Sequence, residues 1–393
     1  MNSVTAVAFL RAARISRGDR WVYSAGFNVD SSLSSTGRID EEIDDLAMLI
    51  RRGARVALLS HQGTHRDGSA EHLGHIARYL TLHLGRRVSY FPTGLGPAAL
   101  RRAGRMRDGE IVLFGNTRFE AGEERNDLSL GRAFARLGDR IAMGGFSKLH
   151  RAHASNNAIL RTRPAFLASS VERALAQLAP WTHPGGPSLA FVGGVKSEKS
   201  VVGLPNLVQR YNRVVPTGTV LNAYLAASGL DVGASKLGEH PQRAFSAARE
   251  VITGAWSGRV VLPTHVIVAG SAGARRIEVG DRVRSDEKIV DLDLPAAVLR
   301  YAGARPRVLV AGTPSAVHDG FRGSIGQLEA AFGPEHADTL LVGGDTAQDF
   351  DRSIGCVSSG GGSALTVIAT GSAVTLDTMR RARGTKKRKT YAI

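Results

Sequence analysis

The residues best suited to chemistry lie in one short stretch, Met143–Ser155, which reads MGGFSKLHRAHAS. It contains two glycines, a lysine, two histidines and an arginine, and it has too few apolar side chains to fill a core. The stretch follows the apolar run Arg140–Met143, which predicts a short buried strand. Ligands of α/β proteins bind beyond the carboxyl ends of such strands. We therefore predict that this basic loop faces a negatively charged substrate.

A second group of small residues lies in the other half of the chain. Glycine turns at Gly193–Gly194, Gly343–Gly344 and Gly360–Gly362 each follow an apolar run. Glycines let backbone amides approach a phosphate closely, and helix N-termini add a favourable dipole. We predict that these turns hold a phosphoryl donor.

Apolar runs that end in small or polar residues recur along the whole chain. The runs begin at Arg55, Ile111, Arg140, Leu189, Val260, Arg307, Thr339 and Cys356. Helical patterns lie between them, for example Asp40–Arg52. Strands of continuous apolar character that alternate with helices imply parallel sheets covered on both faces. The predicted fold class is α/β, with two Rossmann-like three-layer αβα domains joined by a helix around a central cleft.

A cluster of helix breakers near the middle of the chain predicts a domain boundary. Residues 180–187 read PWTHPGGP, and such a concentration of proline and glycine interrupts regular structure. A helix over Ala165–Leu178 is expected to precede it. We predict domains at 1–178 and 179–370, followed by a basic C-terminal tail, 371–393, for which packing back on the N-terminal domain is one option.

Composition narrows the function classes. The chain has 393 residues and a single cysteine, Cys356, which excludes an internal disulfide and a multi-cysteine metal site. No apolar run reaches the roughly 18–20 residues that a transmembrane helix needs. No charge precedes the apolar run in Met1–Trp21, unlike in a secretory signal, so we expect a first helix or strand there. We expect a cytoplasmic monomer with no membrane partner.

The formal net charge of +16 favours a polyanionic partner such as a nucleotide or a phosphorylated metabolite. Part of that charge lies in the tail, at Arg380, Arg381, Arg383, Lys386, Lys387, Arg388 and Lys389. A nucleic-acid binder that uses the tail is one alternative. It ranks last because no aromatic-rich basic surface accompanies the tail.

Taken in order, the polar ends of the apolar runs resemble the motifs of the phosphoglycerate kinase family. The similar segments are Phe27–Val29 (FNV), Arg38 in TGRIDEEI, Ser60–Gly63 (SHQG), Asn116–Phe119 (NTRF) with Glu123–Asp127 (EERND), His150–Ser155 (HRAHAS), Gly193–Lys196 (GGVK), Val342–Thr346 (VGGDT) and Ser359–Gly362 (SGGG). Any one segment is weak evidence for the family, but the same order of segments over nearly the whole chain is specific to it. The resemblance implies a kinase with an N-terminal acyl-substrate domain and a C-terminal nucleotide domain.

The resemblance assigns roles to the N-terminal residues. Arg38 would lie over the carboxylate and the transferring phosphoryl group, where charge spreads. Arg118, Arg151 and His61 would bind the remote phosphate of the substrate, and Asn28 would also contact the substrate. Other interpretations stay open: a surface arginine for Arg38, structural pairing with an acid such as Glu123 for Arg118 and Arg151, and a core or capping role for His61.

The resemblance also assigns roles on the nucleotide side. The amides of Gly193, Gly194, Gly343, Gly344, Thr346, Gly360, Gly361 and Gly362 would cradle the phosphates of ATP or ADP. Lys196 would contact the α-phosphate, and Lys199 stands near the position of a catalytic lysine. Asp345 would bind Mg²⁺ on the nucleotide, or else act only as a helix N-cap. Asp319 stands where the family has a ribose-binding glutamate, or is a solvated loop acid.

Several positions depart from the family pattern. Ser24, Ala25 and Gly26 replace an arginine–valine–aspartate stretch, so the acid that holds the substrate hydroxyl is absent. Thr64 and His65 occupy the place of another phosphate-binding arginine, and Gly144 replaces a second acid. On the nucleotide side, Lys199 is displaced by one residue, Ser200 falls at the expected lysine position, Thr217–Thr219 replaces a glycine triplet, and the motif around Asp319 is altered.

These departures remove the group that reads a hydroxyl but keep most positive charge, which changes specificity more than catalysis. We therefore predict a carboxylate kinase that transfers a phosphoryl group between ATP/ADP and a small anionic carboxylic acid, with Mg²⁺ and with an altered acyl substrate. An ordinary phosphoglycerate kinase and a non-catalytic nucleotide-binding homologue are the alternatives.

Overall fold

The strand and helix pattern of the sequence reappears in a computed structural model of the chain, which describes residues 7–390, with side chains described up to residue 383. The predicted first element, Met1–Trp21, lies partly outside the described residues. A short 3₁₀ helix spans Leu10–Ala12. The chain divides into two units, one formed by the chain up to Ala176 together with the segment from Ser372, and the other by Gln177–Gly371.

The first unit is built around a parallel sheet. Its elements are β1 (Arg20–Ser24), α1 (Gly37–Arg51), β2 (Arg55–Leu59), α2 (Gly74–Leu84), β3 (Val88–Phe91), α3 (Gly96–Gly104), β4 (Ile111–Phe114), α4 (Leu128–Ala135), β5 (Arg140–Met143), β6 (Ala165–Leu167) and the start of α5 (Ser169–Thr182). The strand order is β3-β4-β2-β1-β5-β6, and every pair is parallel.

This order creates a topological switch point between β1 and β5. The chain leaves β1 toward β2 on one side, whereas β5 lies on the other side of β1. Connections that run in opposite directions leave a crevice beyond the carboxyl ends of the two strands. The basic loop within Met143–Ser155 follows β5 directly, so it lies at this crevice.

Local sequence explains why these elements form. The predicted helix Asp40–Arg52 corresponds to α1, which buries Ile39, Leu46 and Leu49 on one face. Helix α4 begins at Leu128 because the Asp127 carboxylate accepts hydrogen bonds from the first free backbone amides.

The second unit contains a parallel sheet and a small antiparallel sheet. Its elements are β7 (Ser188–Val192), α6 (Leu204–Leu207), β8 (Arg213–Pro216), α7 (Gly218–Ala227), α8 (Pro241–Thr253), β9 (His265–Gly270), β10 (Gly273–Glu278), β11 (Lys288–Leu292), α9 (Ala296–Leu299), β12 (Arg307–Ala311), α10 (Gly323–Phe332), β13 (Asp338–Val342), α11 (Gly344–Asp349), β14 (Cys356–Ser358) and α12 (Gly361–Thr370). The parallel sheet has the order β14-β13-β12-β7-β8, and the antiparallel sheet β10-β9-β11. Its switch point falls between β7 and β12.

The predicted fold class, α/β with parallel sheets in two Rossmann-like domains, is confirmed. Two element predictions are wrong in detail. The run beginning at Val260 was expected to be one strand of a parallel sheet. Val260 makes a single parallel bridge to Val214, but the strand β9 starts at His265 and pairs antiparallel with both neighbours. The expected helix Ala165–Leu178 begins later, because Ala165–Leu167 pairs with β5 as strand β6 and the helix starts at Ser169.

The C-terminal segment belongs to the first unit as helix α13 (Val374–Thr390). Asn157 Nδ2 donates to Thr378 Oγ1 at 2.9 Å, and the amide of Thr375 donates to the carbonyl of Leu149 at 3.2 Å. The helix therefore supports the loop that contains His150–Ser155. Among the described helices, none combines the length and the apolar character required to cross a membrane.

Candidate active site

The first candidate site lies at the switch point of the first unit, where the ends of β1 and β5 touch. A Cβ atom added to Gly26 would lie 3.1 Å from Gly145 Cα and 3.3 Å from Lys148 Cδ. Gly145 has φ +68°, a conformation that favours glycine, and a Cβ there would meet the backbone of Gly26. Gly145 Cα and the Lys148 side chain therefore crowd the place of the absent family aspartate.

Lys148 is a site residue to which the sequence argument gave no role. Its Nζ donates to Ser24 Oγ at 2.6 Å and to the carbonyl of Ala25 at 2.9 Å, so it ties the loop after β5 to the end of β1. Burial lowers the pKa of Lys148 to about 7, although the Glu123 and Glu42 carboxylates act in the opposite direction. The only sequence evidence for a role of Lys148 in the site was the presence of a lysine in a loop of mostly small residues.

A buried carboxylate fills the space beside Gly144. Glu42 accepts hydrogen bonds from the Tyr23 hydroxyl, from the amide of Gly145 at 2.7 Å and from Ser170 Oγ at 2.9 Å. A Cβ atom at Gly144 would overlap this carboxylate. Burial raises the pKa of Glu42. The position after β5 therefore has no room for a side chain beside the Glu42 carboxylate of α1.

Arg118 lies at the carboxyl end of β4, in the 3₁₀ helix Thr117–Phe119, and its side chain is only 3% exposed. Its Nη1 pairs with the Glu124 carboxylate, and burial lowers the pKa of Arg118. Pairing of Arg118 with an acid such as Glu123 was one alternative that the sequence left open. Glu123 instead accepts from Ser155 Oγ at 2.5 Å and from the amide of Ser155 at 2.9 Å.

The remaining substrate-side arginine and histidines differ in exposure. Arg151 is exposed, and its Nε donates to His150 Nε2 at 3.3 Å. Burial lowers the pKa of His61 well below its usual value, and the charge of Arg118 adds to the effect. Burial likewise lowers the pKa of His153 to about 3. Both imidazoles are therefore neutral at pH 7 and can act as hydrogen-bonding groups but not as cations.

Asn28 and Arg38 occupy the loop after β1 and the first turn of α1. Asn28 has φ +42°, its amide donates to the carbonyl of His61 at 2.9 Å, and its Oδ1 accepts from the amide of Gly63 at 3.2 Å. Asn28 thus joins the FNV and SHQG segments. In the part of the chain that the structure describes, the Arg38 guanidinium in α1 makes no hydrogen bond or ion pair.

The second candidate site lies at the carboxyl edge of the parallel sheet in the second unit, where glycine turns pack together. Gly312 has φ +110°, and a Cβ atom there would overlap the carbonyl of Gly193 and lie 2.9 Å from Lys199 Nζ. A Cβ atom at Gly218 would lie 3.2 Å from the amide of Gly194. Only residues without side chains allow the turns after β7, β8 and β12 to approach this closely.

Charged side chains flank these turns. Lys196 Nζ and the Asp345 carboxylate are 3.6 Å apart, and the Asp345 side chain is 87% exposed. Gly343 occupies the N-cap position of α11, so the N-cap alternative for Asp345 is wrong. Lys199 begins a π-helix over Lys199–Gly203 and is buried. Burial lowers the pKa of Lys199 to about 8, and the Glu198 carboxylate opposes that shift.

The remaining nucleotide-side residues fall into two groups. Gly360 caps α12, which starts at Gly361 and continues through Gly362, and the amide of Gly343 donates to the carbonyl of Ser358 at 3.0 Å. The turns after β13 and β14 are therefore adjacent, and Thr346 is buried in α11 behind them. Asp319 takes no part in these contacts. Its carboxylate pairs instead with Lys288 Nζ on β11, at 2.8 Å.

Metal-ligating side chains do not form clusters within the described residues. No group of three or more His, Cys, Asp or Glu residues could hold an ion there. An exposed carboxylate such as Asp345, held only by a 3.6 Å ion pair, nevertheless fits the way Mg²⁺ binds through one protein carboxylate and nucleotide phosphates.

Comparison with known proteins agrees with this architecture. A family model described as phosphoglycerate kinase matches residues 20–370. The chain is 31% identical over 355 residues to a phosphoglycerate kinase of Methylorubrum extorquens, an alignment that covers 84% of this chain and 86% of that one. It is 35% identical over 236 residues to the protein of that name from Brucella melitensis, and there it spans 59% of the relative's length.

Solved structures are similar over almost the full chain. Phosphoglycerate kinase from Coxiella burnetii has a TM-score of 0.71 at 24% identity, covering 94% of this chain and 98% of that one. The protein of the same name from Pyrococcus horikoshii has a TM-score of 0.74 at 20% identity, covering 97% and 100%. At these identities the likeness establishes the fold.

Proposed function

Because the chain belongs to the phosphoglycerate kinase family, we propose that it transfers a phosphoryl group between ATP/ADP and the carboxyl group of a small anionic acid. A carboxylate oxygen attacks the γ-phosphorus, a new P–O bond forms, the bond to the β-phosphate oxygen breaks, and ADP leaves. The product is an acyl phosphate. No proton transfer is needed, so catalysis depends on positioning and on charge neutralisation.

The observation that supports this proposal most directly is the packing of glycine turns beside Lys196 and Asp345 in the second unit. Backbone amides and one lysine suit nucleotide phosphates, and the neighbouring carboxylate suits the accompanying cation. Bound there, Mg²⁺ would neutralise charge on the β- and γ-phosphate oxygens. The buried Lys199, with its lowered pKa, stands next to the same turns.

On the acid side, Arg38, Asn28, Arg118 and Arg151 would orient the carboxylate and the rest of the substrate. We propose an altered acyl substrate, because Gly26 and Gly144 occupy the positions of two family acids. A Cβ atom at Gly144 would overlap the Glu42 carboxylate, and one at Gly26 would lie 3.1 Å from Gly145 Cα. The retained Arg38, Arg118, Arg151, Lys196 and Asp345 support an ordinary phosphoglycerate kinase equally well. The assay below separates the two.

Hydroxylamine trapping tests the proposal. The protein is incubated with ATP, Mg²⁺, hydroxylamine and a panel of carboxylic acids that includes 3-phosphoglycerate, and hydroxamate is measured. We expect turnover on the order of 1–100 s⁻¹ with at least one acid. Asp345→Asn should lower kcat/KM for ATP by about 100-fold, and Asp44→Asn, at an exposed acid in α1, should leave it unchanged.

Three outcomes decide among the candidates. Hydroxamate formed fastest from 3-phosphoglycerate would identify an ordinary phosphoglycerate kinase. Calorimetric binding of ADP without hydroxamate from any acid would identify a non-catalytic homologue. Absence of both nucleotide binding and hydroxamate would reject the proposed function.

A further inference from the structure

A band of arginines lies at the amino edge of the parallel sheet in the first unit, the edge opposite the candidate acid site. Five segments form this arginine edge, each just before a strand or including its first residue: 16–20, 51–55, 86–87, 101–110 and 136–140. They contain thirteen arginines and four acidic residues, with no lysine and no aromatic residue. These few segments therefore carry nine of the sixteen net positive charges of the chain.

Direct contacts make the arginine edge continuous across the sheet. Each segment bonds to the next in the order β3-β4-β2-β1-β5: Arg86 Nη1 to the carbonyl of Gly109 at 3.3 Å, the amide of Gly109 to the carbonyl of Ala54 at 3.2 Å, the amide of Gly18 to the carbonyl of Gly53 at 2.9 Å, and the amide of Asp139 to the carbonyl of Arg20 at 2.9 Å. Adjacent strands lie about 4.8 Å apart, so the five segments span about 19 Å. The charges thus form one strip on a rigid support.

The acids of the arginine edge neutralise only a few of its arginines. Asp108 pairs with two of them, at 2.9 and 2.8 Å, and Glu110 and Asp19 pair with one each. Within the described residues, six exposed guanidinium groups of the edge make no hydrogen bond or ion pair: Arg51, Arg52, Arg87, Arg101, Arg105 and Arg107. A helix dipole favours basic residues in a last turn, but Arg87 and Arg107 lie outside the helices.

The chemistry of the arginine edge suits the phosphate backbone of a nucleic acid duplex. Guanidinium forks match phosphate oxygens, and a DNA duplex carries one negative charge per about 1.7 Å of its axis. A small anion binds where side chains converge on a concave site, whereas these side chains are spread along an exposed strip.

Other polyanionic surfaces fit the arginine edge less well. Single strands are held by bases that stack on aromatic side chains, and a membrane surface is held by apolar side chains beside the basic ones. The arginine edge has no aromatic residue, and none of the exposed large apolar side chains of the described chain belongs to it.

We propose that the arginine edge binds double-helical nucleic acid through its phosphate backbone, without reading the base sequence. The surface includes no residue of the acid site and none of the basic tail. The inference does not depend on the proposed kinase activity. DNA and RNA duplexes present the same phosphate chemistry, and the experiment distinguishes them.

Fluorescence anisotropy with labelled DNA and RNA duplexes of about 20 base pairs tests the proposal. For at least one of them we expect a Kd on the order of 10⁻⁶ M at about 0.1 M salt, similar for unrelated sequences, and weaker at higher salt. The triple variant Arg101→Gln/Arg105→Gln/Arg107→Gln should bind at least about tenfold more weakly. It should also reduce the slope of log K against log salt by about 2–3, since each lost phosphate contact removes roughly one unit.

A matched control separates this surface from the general charge of the protein. Arg243→Gln/Arg249→Gln/Arg282→Gln removes the same charge at three exposed arginines of the second unit that have no ion pair within the described residues. It should change the Kd less than about twofold and leave the salt slope nearly as it is.

A second variant guards against loss of folding. Arg51→Gln/Arg52→Gln lies on the same edge at the end of α1 and should weaken binding at least about threefold. Thermal unfolding shows which variants fold. If the triple variant on α3 does not fold, the Arg51/Arg52 variant decides against the same control.

Four outcomes would overturn the inference. The first is a Kd weaker than about 10⁻⁴ M for both duplexes. The second is an equal loss of affinity in the control variant. The third is tighter binding to single strands, to polyglutamate or to anionic lipid vesicles, which would identify another class of partner. The fourth is displacement of the duplex by 3-phosphoglycerate beyond that by sodium chloride of equal ionic strength, which would place the duplex at the acid site.

Discussion

At the scale of single residues, Lys148 illustrates how burial changes a charged group at the candidate site. Its ammonium group is enclosed by Ser24 and Ala25, and the nearby charges are the Glu123 and Glu42 carboxylates and the Arg118 guanidinium. The two carboxylates offset only part of the lowering of the Lys148 pKa that burial causes. The lysine of the loop after β5 is thus a basic group whose protonation changes near neutral pH.

This burial predicts a pH-dependent stability. The folded-state pKa of Lys148, about 7, lies below the ordinary value of 10.5, so the unfolded chain binds more protons between these values. The free energy of unfolding should therefore rise with pH above 7, by about 1–2 kcal/mol up to pH 8.5. Urea unfolding of wild type and of Lys148→Met at several pH values measures the slope.

Lys148→Met should reduce the slope without abolishing it, because the buried Lys199, whose pKa is lowered to about 8, contributes with the same sign. Lys236→Met, at an exposed lysine, should retain the full slope. Burial raises the pKa of Glu123, and this carboxyl contributes with the opposite sign in both wild type and Lys148→Met. The comparison starts at pH 7, the folded-state pKa of Lys148. Equal slopes for wild type and Lys148→Met would contradict the prediction.

At the scale of elements, the end of the chain supports the loop after β5. Asn156 Nδ2 donates to the carbonyls of Lys148 at 2.9 Å and Arg151 at 2.7 Å, and Asn157 Nδ2 reaches Thr378 on α13. Asn156 and Asn157 are both buried. The position of Arg151 therefore depends on an element more than two hundred residues away in sequence, since the Asn157–Thr378 separation is 221.

Removing this support should destabilise the first unit. Asn157→Ala leaves the Thr378 hydroxyl and the Asn126 side-chain amide without their partner, which costs about 1–3 kcal/mol for buried polar groups. Thermal unfolding measures the loss. Thr253→Ala, which removes an exposed hydroxyl bonded only within α8, should change stability by less than about 0.5 kcal/mol. Equal effects of the two substitutions would show that α13 does not support the loop.

Two elements also show where local patterns mislead. Phe166 fits a helical repeat, but it pairs with Ala142 of β5, so tertiary hydrogen bonding overrides the local preference. The run from Val260 has the composition of a buried parallel strand, yet β9 pairs with β10 and β11 in a separate antiparallel sheet. Composition alone does not determine the direction of a partner strand.

At the scale of the whole molecule, the two units carry different parts of the proposed chemistry. The arginines and histidines assigned to the acid lie in the first unit, and the glycine turns assigned to the nucleotide lie in the second. The net charge of +16 favours anionic ligands in general. It does not by itself distinguish a nucleotide from an acid.

Hydrogen exchange tests this division of roles. With Mg²⁺ and ATP, we expect slower amide exchange at Gly193–Lys199 and Gly343–Thr346, because the ligand binds those amides. Exchange in the antiparallel sheet β10-β9-β11 should stay unchanged and serves as the internal control. Protection at Ser24–Asn28 by the nucleotide alone, without the turns of the second unit, would contradict the assignment.

The sequence by itself determined the parallel α/β class, most strands, and the places where polar residues leave the sheets. These features depend on the order of residues along the chain: continuous apolar runs, glycine at strand ends, and motifs that follow one another in the order found in the family. Tertiary structure decided which charges are available. Arg118 pairs with Glu124 rather than Glu123, and Lys148 reaches Ser24. Such pairings depend on burial and on distances between separate strands, which residue spacing does not contain.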